Sequence, residues 1–154
     1  MKIARSIPAS RDAAFAAFLD PQALLAWLPP SGMTGEMHRF EPYAGGGYAM
    51  TLRYADPGAG RGKTSDDADT VAVRFTEVVQ GKRIVQEVDF ASDDPAYAGT
   101  MTMTWSFADA PDGTEVAVEV ANAPPGISAA DHEVGIRSSL ENLARFLVRP
   151  PSGP

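Results

Sequence analysis

The sequence predicts an α+β fold in which a curved antiparallel β-sheet of about six to seven strands wraps around one long C-terminal helix. Residues 127–148 carry a helical period, with Ile136, Leu140 and Leu143 on one face. Most of the chain before them consists of short runs that alternate apolar and polar residues, separated by turn residues at hairpin spacing. With 154 residues, the chain is predicted to form one domain over residues 1–149 and a disordered tail over 150–154.

One strand and two short helices are predicted to open the chain. Residues 2–7 form the first predicted strand. Ser10 is a suitable N-cap for a helix over 11–19, and Asp20, followed by proline, caps a second helix that ends near Trp27. Two short helices cannot cover a whole sheet, so we expect them to close the open end of a curved one.

Six further strands and the long helix are predicted after these elements. The strands cover residues 34–41, 48–54, 71–79, 83–90, 99–107 and 114–121. The clearest is 99–107, in which apolar residues alternate strictly with threonine and serine. Residues 56–69 are polar and rich in glycine, which favours a mobile loop. The final helix is capped by Ser128 and stopped by Pro150.

Composition and charge exclude several classes of function. The chain has no cysteine, which excludes disulfides, zinc–thiolate sites and thiol nucleophiles and fits a reducing cytoplasm. The net charge is −7 and the basic residues are scattered, so a nucleic-acid partner is not expected. No window reaches the ~18 apolar residues of a membrane span, and the first residues lack the apolar core of a signal peptide. We therefore predict a cytoplasmic protein without a membrane span.

No motif in the chain predicts a metal site, a cofactor or a known catalytic arrangement. The stretch 58–64 superficially resembles a phosphate-binding loop, but Pro57 occupies the position of the first glycine of that motif. In addition, a predicted strand follows the stretch, whereas the motif needs a helix. His38 and His132 are the only histidines, and their spacing matches no zinc motif. The direction of His38 stays open, because Met37 and Phe40 compete for the inner face of the same strand.

Short motifs recur in a fixed order along nearly the whole chain. They are Ile7-Pro8-Ala9-Ser10, Asp20-Pro21 through Trp27-Leu28-Pro29, Phe40-Glu41-Pro42 with Gly45-Gly46-Gly47-Tyr48, residues 102–107 with 112–116, and His132-Glu133-Val134-Gly135-Ile136 before Leu140 and Leu143. In this order they resemble the START/Bet v 1-like (SRPBCC) superfamily, and within it bacterial proteins similar to the C-terminal domain of the activator of the Hsp90 ATPase. The resemblance implies a helix-grip fold. Ile136 departs from the motif, which usually has tryptophan there.

Strand parity and the resemblance together give a candidate ligand-binding set. Its members are predicted to line or gate a cavity between the sheet and the last helix: Trp27, Met50, Phe75, Gln86, Met101, Met103, Trp105, His132 and Ile136. For the apolar members the alternative is a packed core, and for Trp27 a seal at the end of that core. Gln86 alone is a polar residue with inward parity, so it either orients a ligand or is satisfied by its neighbours. His132 either binds ligand or is a partly exposed histidine at the start of the helix that bonds to a nearby carboxylate.

Three functions remain open at this stage. The leading one is binding of a small apolar or aromatic molecule, with methionines as an adaptable lining and Gly135 as a point of close approach by a ligand or by backbone. The second is a protein-interaction module like the Hsp90 ATPase activator domain, which would need an exposed apolar patch, whereas the outward residues Thr102 and Arg74 are polar. The third is an enzyme that acts on a small hydrophobic substrate through proton transfer. A homodimer through an exposed strand edge also stays open.

Overall fold

The secondary structure follows the predicted order of elements. The computed structural model describes residues 1–30, 32–54, 68–92 and 94–148. Its elements are β1 (Lys2–Ile7), α1 (Arg11–Ala16), α2 (Pro21–Trp27), β2 (Met33–Glu41), β3 (Gly47–Tyr54), β4 (Ala68–Val79), β5 (Arg83–Phe90), a 3-10 turn (Pro95–Tyr97), β6 (Met101–Ala110), β7 (Gly113–Ala121) and α3 (Ala129–Val148). None of the helices in these described ranges is long and apolar enough to cross a membrane.

Seven antiparallel strands form one curved sheet in the order β1-β7-β6-β5-β4-β3-β2. This confirms the predicted α+β fold class, a helix-grip-like sheet with α3 on its concave face. The order places β1 and β2 at the two edges, and every hairpin joins neighbouring strands. The backbone of α3 lies close to β1, α1 and α2, so between α3 and the central strands there is a layer of side chains.

The polar caps predicted for the three helices are in place. Ser10 Oγ accepts a hydrogen bond from the amide of Ala13, and Asp20 Oδ1 accepts from Gln22. Ser128 Oγ accepts from the amide of Asp131 at the start of α3. Each cap satisfies an amide that the first turn of a helix leaves without a partner.

Several element boundaries differ from the prediction. α1 ends at Ala16 instead of residue 19, because the chain tightens into turns before the extended N-cap Asp20. β4 begins at Ala68 instead of residue 71, because its pairing with β3 continues through Asp69 to Ala68, both of which were predicted to lie in the loop. The 3-10 turn after Asp94 was not predicted, although Asp94-Pro95 repeats the cap-and-proline signal that begins α2. Outside the described residues lie the rest of the predicted 56–69 loop, which includes the phosphate-loop-like stretch 58–64, and the tail from residue 149.

A β-bulge in β2 decides the direction of His38. Met37 pairs with Met50 and Arg39 pairs with Ala49, so His38 is the extra residue between two register positions. The bulge lets both Met37 and Phe40 face the concave side, where Phe40 stacks on Tyr48 with ring centroids 5.7 Å apart. His38 faces outward, and its Nε2 lies 2.8 Å from Thr51 Oγ1.

Gly47 is fixed by a close approach of backbone. A Cβ atom at this position would lie 2.0 Å from the carbonyl oxygen of Val73 on β4. Gly45 and Gly46, which precede it, both exchange backbone hydrogen bonds with Phe75. The glycine run therefore lets the β2–β3 turn lie close against the backbone of β4.

Aromatic side chains fill the end of the concave face beneath α1 and α2. Phe18 is the centre of this cluster, with ring centroids 4.6 Å from Trp27, 4.9 Å from Trp105 and 5.1 Å from Phe107. Phe15 packs edge-on against Phe107 at 5.4 Å. All five rings are at most 4% exposed. Because each favourably oriented ring pair contributes about 0.5–1.5 kcal/mol beyond burial of area, this end of the fold is firmly closed.

Two polar side chains fasten α3 to the segment after α2. Ser139 Oγ donates to the carbonyl of Leu28 at 2.5 Å, and Asn142 Nδ2 donates to the carbonyl of Pro29 at 3.0 Å. Leu140 and Leu143 on the same helix are 1% and 0% exposed. The second half of α3 is therefore anchored by both core packing and hydrogen bonds, whereas its first half carries Val134 at 69% exposure and Gly135.

Candidate functional site

A buried polar group lies in the middle of the apolar concave face. Gln86 on β5 is 5% exposed, and its Oε1 accepts a hydrogen bond from Trp105 Nε1 at 3.0 Å. Register places Gln86 between Phe75 on β4 and Met103 on β6. The parity prediction that Gln86 points inward is therefore correct, and its hydrogen-bond partner is a side chain rather than backbone.

Tyr48 is the second polar neighbour of Gln86. Its ring is 4% exposed and packs against Phe75 with centroids 5.8 Å apart. Burial raises the pKa of Tyr48 well above the ordinary value of a tyrosine, and a hydrogen bond with the Gln86 side chain opposes this increase only in part. Tyr48 therefore presents a neutral hydroxyl on the concave face. Tyr48 is not among the predicted site residues, although it shares the inward parity of Met50 on β3.

Met103 is the least buried of the apolar inward-facing residues on β6. It lies on β6, an interior strand, and its neighbours across the sheet are Gln86 on one side and Val120 on the other. Those two neighbours are 5% and 8% exposed, as expected beneath a covering helix. Met103 is only half-buried. Because β6 has strands on both sides, the exposed part of Met103 reaches solvent from a face of the sheet and not from its edge.

The structure places seven of the nine candidate residues in the interior and two at partly exposed positions. Buried on the concave face or against it are Trp27, Met50, Phe75, Gln86, Met101, Trp105 and Ile136. Half-buried are Met103 and, in the first turn of α3, His132. Sheet register brings Met103 together with Gln86, and Met101 lies two residues along the same strand.

Trp27 lies at the closed end of the core. Its ring is fully buried, and its Nε1 donates to the carbonyl of Ala17 at 2.9 Å. Its ring centroid lies 4.6 Å from that of Phe18. These contacts pack Trp27 into the closed end of the core beneath α1 and α2.

Gly135 has free space beside it. A Cβ atom added there would meet nothing in the described chain closer than Cγ of Pro30, at 4.0 Å. Within the described residues no backbone atom outside α3 itself lies within 4 Å of this Cβ position, which favours close approach by a ligand over close approach by backbone. Ile136, one residue further on, is 6% exposed and belongs to the core stripe of α3.

Two clefts elsewhere on the described surface contain none of the predicted site residues. One of about 380 Å³ lies between the end of β1 and the β6–β7 turn, lined by Ile7, Pro8 and Pro111 among others. The other, of about 180 Å³, lies between α1, α2 and the end of α3 and is lined mainly by alanines with Phe146 and Leu147. Within the described ranges, no three histidine or acidic side chains are grouped closely enough to hold a metal ion.

The comparisons with known proteins agree with the geometry. The architecture, a curved sheet closed by two short helices and covered by α3, defines a START/Bet v 1-like helix-grip protein. The chain belongs to the family of Activator of Hsp90 ATPase homolog 1-like proteins, whose model matches residues 8–148. Proteins of this family commonly bind hydrophobic ligands. The comparison with curated proteins gives no match.

Solved structures of bacterial proteins share the fold. Protein CV1439 of Chromobacterium violaceum is 27% identical, with a TM-score of 0.85 over 98% of this chain and 97% of that one. A protein of Arthrobacter aurescens is 17% identical, with a TM-score of 0.80 over 97% and 86% of the two chains. A protein of Rhodobacter sphaeroides is 19% identical, with a TM-score of 0.77 over 97% and 93%. The latter two likenesses concern the fold alone.

Proposed function

We propose that this protein binds a small apolar or aromatic molecule between the concave face of the sheet and the first half of α3. The observation that carries the proposal is the half-buried state of Met103 on an interior strand, between the buried Gln86 and Val120. Space at that point is bordered by apolar side chains with one amide among them, which is the usual composition of a small-molecule site.

The lining suits ligands of varied shape. Met50, Met101 and Met103 all belong to the concave face, and methionine is flexible and polarizable enough to adapt to an irregular apolar surface. The closed aromatic end beneath α1 and α2 supplies a rigid floor. Entry is proposed along the first half of α3, where Val134 is exposed and Gly135 is uncrowded, because the second half is fixed by Ser139 and Asn142.

The interaction-module alternative has less support. In the described part of the chain, the large exposed apolar side chains are Met1, Tyr43, Val134 and Val148. They belong to the N-terminus, the β2–β3 turn, the first half of α3 and its C-terminal end, so they do not form the contiguous patch that a docking surface needs. The enzyme alternative has no supporting geometry beyond the presence of Gln86 and His132 in the candidate set.

A pair of variants tests the proposed location. Met103→Trp adds volume to the proposed space, and Met33→Trp makes the same change at a half-buried methionine at the start of β2. We expect N-phenyl-1-naphthylamine, whose fluorescence rises in apolar surroundings, to bind the wild type and to bind Met103→Trp at least about tenfold more weakly, the effect of losing roughly 1.4 kcal/mol.

Met33→Trp should bind the probe within about twofold of the wild type, which is less than 0.5 kcal/mol. Circular dichroism and the melting temperature establish that both variants are folded. Absence of probe binding to the wild type, or equal binding by the two variants, would contradict the proposed site.

A further inference from the structure

Three polar side chains on the concave face, those of Trp105, Gln86 and Tyr48, together have more hydrogen-bond donors than acceptors. Trp105 contributes one N–H, Gln86 two and Tyr48 one O–H. Trp105 donates to Gln86 Oε1, and the Gln86 side chain also lies within hydrogen-bonding reach of Tyr48. If the amide donates to Tyr48, then the Tyr48 O–H and one amide N–H have no acceptor among the described residues. If Tyr48 donates to the amide oxygen, then both amide N–H groups have none.

In either arrangement two donors lack an acceptor within the described chain. Gln86 and Tyr48 are 5% and 4% exposed, so neither donor is freely hydrated. Among the described residues, every polar side-chain atom that is fully shielded from solvent has a hydrogen-bond partner, so the unpaired donors of Gln86 and Tyr48 each keep a small solvent contact. Gln86 is also the cross-strand neighbour of the half-buried Met103. The donors without acceptors therefore border the same space as the proposed ligand.

The surroundings favour a neutral acceptor over an anion. No arginine or lysine is buried in the described ranges, and the one buried charged residue there is Asp69, an acid, on β4. A carboxylate or phosphate brought beside Gln86 would lose its hydration without gaining a buried cation. A carbonyl oxygen accepts two hydrogen bonds and loses far less hydration.

We infer that the ligand is a neutral aromatic or alicyclic molecule with a carbonyl-type oxygen, which accepts hydrogen bonds from the Gln86 amide and the Tyr48 hydroxyl. This inference depends on the proposed function, since it names the class of ligand for the same site. Gln86 and Tyr48 then determine specificity, whereas the methionines and the aromatic rings supply affinity without chemical selection.

Three naphthalene probes test the inference by displacement of N-phenyl-1-naphthylamine. They are 2-acetylnaphthalene, which has the carbonyl, 2-isopropenylnaphthalene, in which a methylene replaces the oxygen, and 2-naphthoate, which is anionic. The measured quantity is the ratio of the ketone's affinity to the alkene's affinity in each variant. We expect Gln86→Leu to lower this ratio about tenfold and Tyr48→Phe to lower it by a smaller factor. The exposed control Gln22→Leu should leave the ratio unchanged.

The outcomes separate the two proposals. If the alkene binds and both variants keep the wild-type ratio, the inference fails and the proposed function stands. If no probe binds the wild type, the proposed function fails and the inference fails with it. If 2-naphthoate binds as tightly as the ketone, the restriction to neutral ligands is wrong. Because Tyr48→Phe removes a single oxygen atom, it keeps the test valid even if Gln86→Leu folds poorly.

Discussion

Replacement of Gln86 should reveal how much its buried side-chain amide contributes to the stability of the fold. Gln86→Leu removes the acceptor of the Trp105 indole, a buried hydrogen bond of 3.0 Å, and the polar neighbour of the Tyr48 hydroxyl. Leucine has a similar volume, so the packing changes little. Leaving a buried donor without its partner costs about 1–3 kcal/mol. We expect a loss of about 2 kcal/mol in the free energy of unfolding.

Urea denaturation followed by far-ultraviolet circular dichroism measures this loss. For a chain of this length, about 2 kcal/mol corresponds to a fall in melting temperature of roughly 4–8 °C. Gln22→Leu is the matched control, because Gln22 is exposed on α2 and its side chain makes no hydrogen bond to the described residues. Its effect should lie within about 0.5 kcal/mol of zero.

A double variant distinguishes the loss of the hydrogen bond from a loss of packing. Trp105→Phe removes the donor, so the combination with Gln86→Leu leaves neither group of the pair without its partner. The double variant should cost about 0.5–3 kcal/mol less than the sum of the two single variants, the range measured for groups in direct contact. Strictly additive losses, or a Gln86→Leu protein as stable as the wild type, would refute the reasoning.

Three further predictions concern the backbone and Tyr48. Gly47→Ala should lower the free energy of unfolding by at least about 3 kcal/mol, because its Cβ would lie 2.0 Å from the Val73 oxygen. Gly99→Ala, whose Cβ would meet nothing within 4 Å but whose φ is +93°, should lower it by about 1–2 kcal/mol, as measured by urea denaturation. Gly135→Ala should raise the free energy of unfolding by about 0.5–1 kcal/mol, since the new methyl group meets only Pro30 at 4.0 Å; a loss of stability would show that this space is not free. Because burial raises the pKa of Tyr48, only the unfolded state ionises this hydroxyl as the pH rises above about 10. The free energy of unfolding should therefore be unaffected by Tyr48 below about pH 10 and should fall above it by up to about 1.4 kcal/mol per pH unit. Tyr48→Phe should remove this part of the alkaline fall in stability, and the exposed Tyr43→Phe should retain it.

The sequence was sufficient to predict the architecture because local signals agreed along the chain. Alternation placed Met101, Met103 and Trp105 on one face of β6, and the structure confirms that these residues share the concave side. The caps at Ser10 and Asp20 were visible as polar residues directly before helical periods. Such signals depend only on neighbours in sequence, which is why they can be predicted without knowledge of the fold.

Features that depend on distant partners could not be predicted. A one-residue bulge at His38 changes parity without any local signal that distinguishes it from Met37. Ser139 lies on an otherwise apolar stripe, but its acceptor, the carbonyl of Leu28, is 111 residues away in sequence. The half-buried state of Met103 depends on where α3 crosses the sheet, which the period of α3 does not specify.

The binding site beneath α3 can be tested most directly by NMR spectra of protein labelled with ¹³C at the methionine methyl groups, recorded during titration with 2-isopropenylnaphthalene. The chain has six methionines; Met37, Met50, Met101 and Met103 pack on the concave face, and the last three belong to the candidate set. We expect the methyl resonances of these three to shift and saturate together, while those of Met1 and Met33 stay in place. Saturable binding that shifts Met1 or Met33 and leaves Met103 unchanged would place the ligand elsewhere and contradict the proposed site.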